Sequence, residues 1–369
     1  MVKVLFLGDL LLSGEFLERM AADHAYNPFL NSSLKALIQE HDLVLASLDG
    51  ALSGGAKPIE GDRIILETEE SALRLLKNLN LSIMTLATNH AFDFGVGGYE
   101  STRTELLKNR ILTVGGGSNL IEAARPLIAK VGDVKLAFVA VADAATSAVT
   151  ATPGSPGVNP LEPLERIEAQ LQQLRHENDV VIILPHWGTE WYALPSLHQR
   201  QMARKLIKAG ADLIIGNHPH VPQITEIIEG KPVFYALGNA VATDVGEKGA
   251  RILKQLPMNL KSLAVSVPLT GTTGTFQVKV WNLFFHPKRG LMVQGEHKPS
   301  LLERLINSQM ATDNLYTKLW NLYCLFMEVV FIPIRIRLIG YGPKYALKRL
   351  TIRTLARRLQ QLTERRVAS

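Results

Sequence analysis

Short apolar runs alternate with longer amphipathic stretches from the start of the chain to Ile215. Residues 2–7 are apolar but for Lys3 and stop at Gly8-Asp9, which reads as a parallel strand covered on both faces. Residues 28–40 place Leu30, Leu34, Leu37 and Ile38 on one face at helical spacing. A second strand over 43–48 ends in Asp49-Gly50, and a glycine- and proline-bearing loop spans 54–61. A helix over 69–79 leads to a strand over 81–87 that ends in Thr88-Asn89-His90. The alternation continues with a helix over 98–108, a strand over 111–114, a hairpin of 126–131 and 134–141, and a loop over 152–160. A helix over 161–176 precedes a strand over 179–184 that runs into Pro185-His186-Trp187-Gly188. After a helix over 196–209 comes the apolar strand 211–215. Residues 221–228, 232–237, 262–268 and 275–285 then read as antiparallel strands. Repeated β-α alternation followed by strands alone, with no internal repeat, predicts a layered α/β sandwich.

The polar residues that close these runs carry the chemistry. Asp9, Asp49, Asn89 with His90, His186, and the pair His218 and His220 each follow a stretch rich in Val, Leu and Ile. Open α/β sheets bind ligands outside the carboxyl ends of their strands, so these groups are expected to meet along one sheet edge. Singly, each is a cap or a turn former, and His218-Pro219-His220 alone is a turn with two surface histidines. Together, two carboxylates, an amide oxygen and three histidines supply enough donors for two divalent cations with one carboxylate bridging. Asn89 and His90, adjacent at a strand end, point to opposite sides and can serve different roles. Asp93 is placed either to hold a ring nitrogen of His90 or to cap the next helix. Gly115-Gly116-Gly117-Ser118-Asn119 is either an anion-binding nest or a strand-to-helix turn. Trp187 and Trp191 either line a groove or pack in the core.

Six stretches, in order and spacing, resemble the CapA (poly-γ-glutamate capsule biosynthesis) family. They are Gly8-Asp9-Leu10-Leu11-Leu12-Ser13-Gly14, Ser47-Leu48-Asp49-Gly50, the run from Ala87 to Gly95 containing Asn89-His90-Ala91-Phe92-Asp93, His186-Trp187-Gly188-Thr189-Glu190, the run from Ala209 to His220, and Phe234-Tyr235-Ala236-Leu237-Gly238-Asn239. The resemblance implies a four-layer α/β-β/α sandwich of the calcineurin-like metallophosphatase type over residues 1–300, with a C-terminal helical extension over 301–369. It implies Asp9 and His220 at one metal, Asn89, His186 and His218 at the other, Asp49 bridging, and His90 as a non-ligand beside the substrate. The cations expected are two divalent ions of the manganese, iron or zinc type. Two departures stand out. Leu11 replaces the histidine of the Asp-x-His that ordinary metallophosphatases carry, so one metal is a ligand short and water or Glu190 must complete it. Asp49 stands where the family often has glutamate.

The activity implied is hydrolysis of a phosphoester or phosphoanhydride by a metal-activated water, linked to capsule or poly-γ-glutamate biosynthesis. The alternative is a non-hydrolytic subunit that handles an anionic polymer at the membrane face.

Composition adds limits. Of 369 residues, 47% are hydrophobic and 20% charged, an ordinary globular balance. One cysteine, Cys324, excludes an internal disulfide and a cysteine-based zinc site. The net charge of +6 is uneven: residues 301–369 carry twelve Lys/Arg against four Asp/Glu, so the body is slightly acidic. Residues 315–334 are strongly apolar but broken by Lys318, Glu328 and Pro333, and 335–366 are basic with a helical pattern. This tail either lies on an anionic membrane surface or packs on the body with its basic face in solvent. It has no aromatic or fold support for nucleic-acid binding. The amino terminus lacks a secretory pattern and no stretch reaches eighteen uncharged apolar residues, so the expected place is the cytoplasm, peripheral to the inner face of the membrane.

Overall fold

The apolar runs become the inner strands of two stacked sheets. The computed structural model describes residues 2–61, 63–247, 250–269, 277–308 and 313–332. The first sheet runs Gly290–Glu296, Lys279–His286, Lys261–Leu269, Val2–Leu10, Leu43–Leu48, Ile83–Thr85 and Leu112–Val114, with Asn239–Val241 also paired to Val2–Leu10. The second runs Thr225–Ile228, Lys231–Phe234, Leu213–Ile215, Val180–His186, Val134–Ala142 and Leu127–Val131. From Val2–Leu10 to Leu112–Val114 the pairing is parallel, as it is from Val134–Ala142 through Lys231–Phe234.

Alternate residues of each inner strand serve different layers, because successive side chains point to opposite faces. Val4, Phe6 and Leu45 meet Phe138, Ile182 and Leu213 between the sheets. Leu5 and Leu7 face outward to Leu34 and Leu37 of the helix Ser32–Gln39 and Leu106 of the helix Gly95–Lys108. On the far side, Val139, Val181 and Ile183 pack on Ile167 and Leu171 of Leu164–Glu177 and Leu206 of Leu197–Lys208. Helix, sheet, sheet, helix: the four-layer sandwich is the fold.

Several sequence expectations change in detail. The four late strands are not one antiparallel set. Thr225–Ile228 and Lys231–Phe234 close the second sheet, while Lys261–Leu269 and Lys279–His286 extend the first beside its opening strand. Their period-two patterns are alike, so only tertiary pairing sorts them. The helix Glu15–Ala22 and the strand Gly290–Glu296 had no clear pattern and appear only in the structure. The glycine run is a turn: Gly116–Gly117 pairs with Gly157–Val158, and the Asn119 side chain caps Leu120–Ala123.

The described part of the C-terminal extension packs on the body. Leu301–Ile306 is followed by Asp313–Phe326, which runs on as a π-helical turn over Met327–Phe331. Tyr316, Trp320, Cys324 and Met327 close a cluster with Trp191, Tyr192 and Leu194, from the loop just past His186. The Tyr316 hydroxyl donates to Pro195 O at 2.6 Å, and Ala193 N donates to the Tyr323 hydroxyl at 2.8 Å. The expected basic helix over 335–366 lies outside the described residues. No helix among the described residues is long and apolar enough to cross a membrane.

Candidate metal centre

Asp9, Asp49, Asn89, His186, His218 and His220 come together, but at the facing ends of two sheets rather than along one. Asp9 lies in the first sheet, with Asp49 and Asn89 in the loops that follow two of its strands; His186 ends a strand of the second sheet, and His218 and His220 follow its neighbour Leu213–Ile215. The parallel strands of the two sheets open their carboxyl ends onto the same crevice, which no pattern within one strand reveals. His218 N donates across it to Asp9 Oδ2 at 3.0 Å, and His186 Nε2 lies 2.7 Å from Asn89 Oδ1. His186 Nε2 and His220 Nε2 sit 4.0 and 3.8 Å from the two Asp49 oxygens.

Backbone geometry aims these groups. The register of Val2–Leu10 slips at Asp9 against both of its parallel neighbours, a bulge that turns the carboxylate inward. Beside it, a Cβ on Gly8 would stand 1.9 Å from Gly238 O, so only glycine lets the strand pass. His218 and His220 hold φ of 99° and 58°, left-handed values that cost a non-glycine residue about 1–3 kcal/mol each. That strain curls the loop about Pro219 and turns both rings into the crevice. Asn239 Oδ1 accepts from His220 Nδ1 at 3.0 Å and so leaves Nε2 toward Asp49.

Burial dominates the electrostatics of the cluster. All six residues are buried. Burial, and then the Asp49 carboxylate, push Asp9 up to about 7. Burial holds the His186 ring well below the ordinary histidine value and His218 down to about 3, neighbouring rings adding to the effect. Neutral imidazoles are the form that binds metal. Asp9 Oδ1, both oxygens of Asp49 and His186 Nδ1 have no hydrogen-bond partner. Buried carboxylate oxygens without donors are costly, a cost that a bound cation would relieve. Among the described residues no His, Asp and Glu side chains already form a ready coordination shell. The donors instead lean on one another, His218 Nδ1 lying 3.2 Å from His186 Nε2. The donor types, neutral imidazoles and carboxylate oxygens, are nevertheless those that suit a divalent ion.

His90 is set apart electrostatically. Burial pulls its ring down, but the Asp49 and Asp93 carboxylates outweigh it, and the net shift is upward. His90 Nδ1 lies 2.8 Å from Asp93 Oδ2, and the helix that follows has no side-chain cap, so Asp93 is the partner of His90. The same carboxylate accepts from Leu66 N and pairs with Arg63 at 2.8 Å. Arg63 also bonds to Asn89 O and reaches Ser147 O on the second sheet's side. Sequence gives no sign of Arg63, which sits in a loop thirty residues from Asp93. Leu11 packs with Leu66 and Val245 in an apolar cluster, so the missing histidine is not replaced there. Glu190 lies beside His218 at the mouth of a cleft, not at the Asp9–His220 end. Trp187 is fully buried, its Nε1 donating to Tyr235 O, whereas Trp191 reaches the cleft.

Fold and site together define a four-layer α/β-β/α sandwich with a histidine–carboxylate cluster at the facing sheet ends. The family model described as "Bacterial capsule synthesis protein PGA_cap" matches residues 3–244, and the chain belongs to that family. It is 30% identical over 238 residues to the PGA biosynthesis protein CapA of Bacillus subtilis (strain 168), covering 64% of this chain and 62% of that one. With the capsule biosynthesis protein CapA of Bacillus anthracis it shares 26% over 279 residues, covering 69% and 66%. The chain thus spans about two thirds of the length of these relatives or slightly less. Among solved structures it is similar to a 5′-nucleotidase precursor of Thermus thermophilus, with 14% identity, 90% of this chain and 59% of that one covered, and a TM-score of 0.44.

Proposed function

We propose that this chain is a metal-dependent phosphohydrolase that serves capsule or poly-γ-glutamate biosynthesis. The observation that carries this reading is the set of unpartnered, buried carboxylate oxygens of Asp9 and Asp49 facing three histidines, with His90 and Asp93 at its rim. Asp9, Asp49, Asn89, His186, His218 and His220 would hold two divalent ions of the manganese, iron or zinc type, with Asp49 shared. When bound, such ions lower the pKa of water and neutralise phosphoryl oxygens. The chain's own residues do the rest. Asp93, itself braced by Arg63, accepts from Nδ1–H of His90 and favours its protonated ring, so the imidazolium presents Nε2–H to the leaving oxygen, delivers that proton and is left neutral with its hydrogen on Nδ1. The test is hydrolysis of p-nitrophenyl phosphate and bis(p-nitrophenyl) phosphate with added Mn²⁺. His218→Ala should abolish it and His90→Asn should lower kcat by about 10²–10⁴. Turnover that survives a chelator would sink the reading.

A second reading has its own observation. Leu322, Leu325, Phe326, Val329 and Val330 form an exposed apolar face on the C-terminal helix, opposite the face that packs on the body. Ten Lys/Arg against one Glu follow it over residues 333–369. Apolar face plus basic segment suits an anionic membrane surface, where the chain would act as a non-hydrolytic subunit handling an anionic polymer. Flotation with phosphatidylserine vesicles, lost in Phe326→Glu, tests the membrane part; binding of Mn²⁺ without turnover on any phosphoester favours the subunit role.

A further inference from the structure

His220 is held at both its ring and its carbonyl by two asparagines. Its Nδ1 lies 3.0 Å from Asn239 Oδ1, and its carbonyl accepts from Asn259 Nδ2 at 3.0 Å and from Asn239 Nδ2 at 3.4 Å. Asn239 Nδ2 also donates to Asn259 O at 3.1 Å. Asn259 sits in the 3₁₀ turn Pro257–Leu260, where its Oδ1 accepts from Leu256 N at 3.2 Å and its own N donates to Leu256 O at 2.8 Å. Both asparagines are fully buried. Their amide orientations follow from these partners. Two carbonyls beside Asn239 Nδ2 demand the donor end there, so Oδ1 faces the His220 ring and Nδ1 carries the hydrogen. Leu256 N demands Asn259 Oδ1, which turns Nδ2 to the His220 carbonyl. Asn239 is also the register partner of Asp9, whose N donates to Gly238 O at 3.0 Å. One side chain thus joins the strand that carries Asp9 to the loop that carries His220. Asn259 lies beyond residue 244, where the family match ends.

We propose that Asn239 and Asn259 are positioning residues for the metal centre: together they commit His220 to a metal through Nε2 and hold its loop in the turn that aims the ring. The inference rests on the metal reading of the centre, not on hydrolysis. A ligating histidine whose other ring nitrogen donates to a fixed acceptor has one tautomer and one ring orientation, and loss of such a partner costs about 10–100-fold in metal affinity. His220 holds a left-handed φ of 58°, and a residue under that strain keeps its conformation only where its surroundings over-determine it. Two amide donors on its carbonyl and one acceptor on its ring supply that constraint. Without them the loop relaxes, and Nε2 leaves its place 3.8 Å from Asp49 Oδ2.

The experiment titrates Mn²⁺, and Zn²⁺ in parallel, into the full-length metal-free chain by calorimetry, and measures the urea unfolding midpoint without metal. Nε2 of one imidazole binds one ion, so Asn239→Leu and Asn259→Ala should each weaken a single ion by about 10–100-fold and leave any other as it is. Asn239→Asp keeps an acceptor for Nδ1–H and should hold that ion about tenfold more tightly than Asn239→Leu does. In a His220→Ala background, Asn259→Ala should cost no further metal affinity, because it acts only through His220. Nitrogen-15 NMR of the metal-free chain should show His220 as the Nδ1–H tautomer, and a mixture of tautomers in Asn239→Leu. Unchanged affinity in both asparagine variants, or an Nε2–H tautomer in the wild-type chain, overturns the clamp and leaves the metal reading standing. Equal weakening of every ion with a lower metal-free midpoint, or a full further loss in the His220→Ala background, also overturns it, as the mark of a general loss of structure. A wild-type chain that binds neither Mn²⁺ nor Zn²⁺ overturns the metal reading itself, and the clamp with it.

Discussion

Arg200 ties the body to the C-terminal segment, and its removal tests that coupling. The residue projects from Leu197–Lys208 and is buried, as is its partner Glu226. Two hydrogen bonds join them, at 2.9 and 2.6 Å, and the Tyr235 hydroxyl donates to the same Glu226 at 2.8 Å. On its other side the guanidinium lies 4.0 Å from the centre of the Tyr316 ring in the C-terminal helix. Arg200→Met fills much of the same volume but leaves Glu226 charged and buried with one donor. Removing one partner of a buried pair costs about 3–5 kcal/mol, and the surviving Tyr235 bond places this case near 3. Loss of the cation–π contact adds about 1 kcal/mol. In the double variant Arg200→Met/Glu226→Leu no buried charge remains, and the main residual cost is the Tyr235 hydroxyl without its acceptor, about 1–2 kcal/mol. The lost cation–π contact is common to both variants, so urea unfolding followed by circular dichroism should show the single variant to be the less stable by about 1–2 kcal/mol. A single variant within about 1 kcal/mol of wild type, or a double variant as unstable as the single, would refute the reasoning.

Three further outcomes follow from the geometry. Asp93→Asn should lower kcat by about 10²-fold, and adding it to His90→Asn should cost little more, since the two act as one unit; additive losses would separate them. Gly8→Ala should destabilise by about 2–3 kcal/mol and weaken Mn²⁺ binding, because its Cβ meets the Gly238 carbonyl at the bulge. Gly154→Ala, with nothing within 4 Å, should change neither, so equal unfolding midpoints for the two variants would contradict the packing argument. Burial alone would raise the Glu303 carboxyl, but the His297 ring at 3.5 Å and hydrogen bonds from Ser300 and Thr225 outweigh it and hold the group down to about 2, against 4.5 when free. A depressed carboxyl stabilises the fold fully above pH 4.5 and loses that contribution as pH falls toward 2. The stability difference between wild type and Glu303→Gln should shrink over that window; a difference constant with pH would show that Glu303 gains nothing from its charge.

Sequence by itself determined the inner strands, because their apolar runs are long and their ends carry polar groups that a buried strand has no other reason to place there. It also pointed to Asp9, Asp49, Asn89, His186, His218 and His220 as one set, since each closes such a run. Late strands with the same period-two pattern held no clue to which sheet they join. Only tertiary structure decided that the six donors meet across two sheets, that Asp93 serves His90 and not the helix, and that Arg63 stands behind Asp93. It also placed Glu328, more than a hundred residues from His218, at the same cleft. Local periodicity records which face of a strand or helix is buried. Which buried faces oppose each other depends on how whole layers stack, and no spacing within one element encodes that.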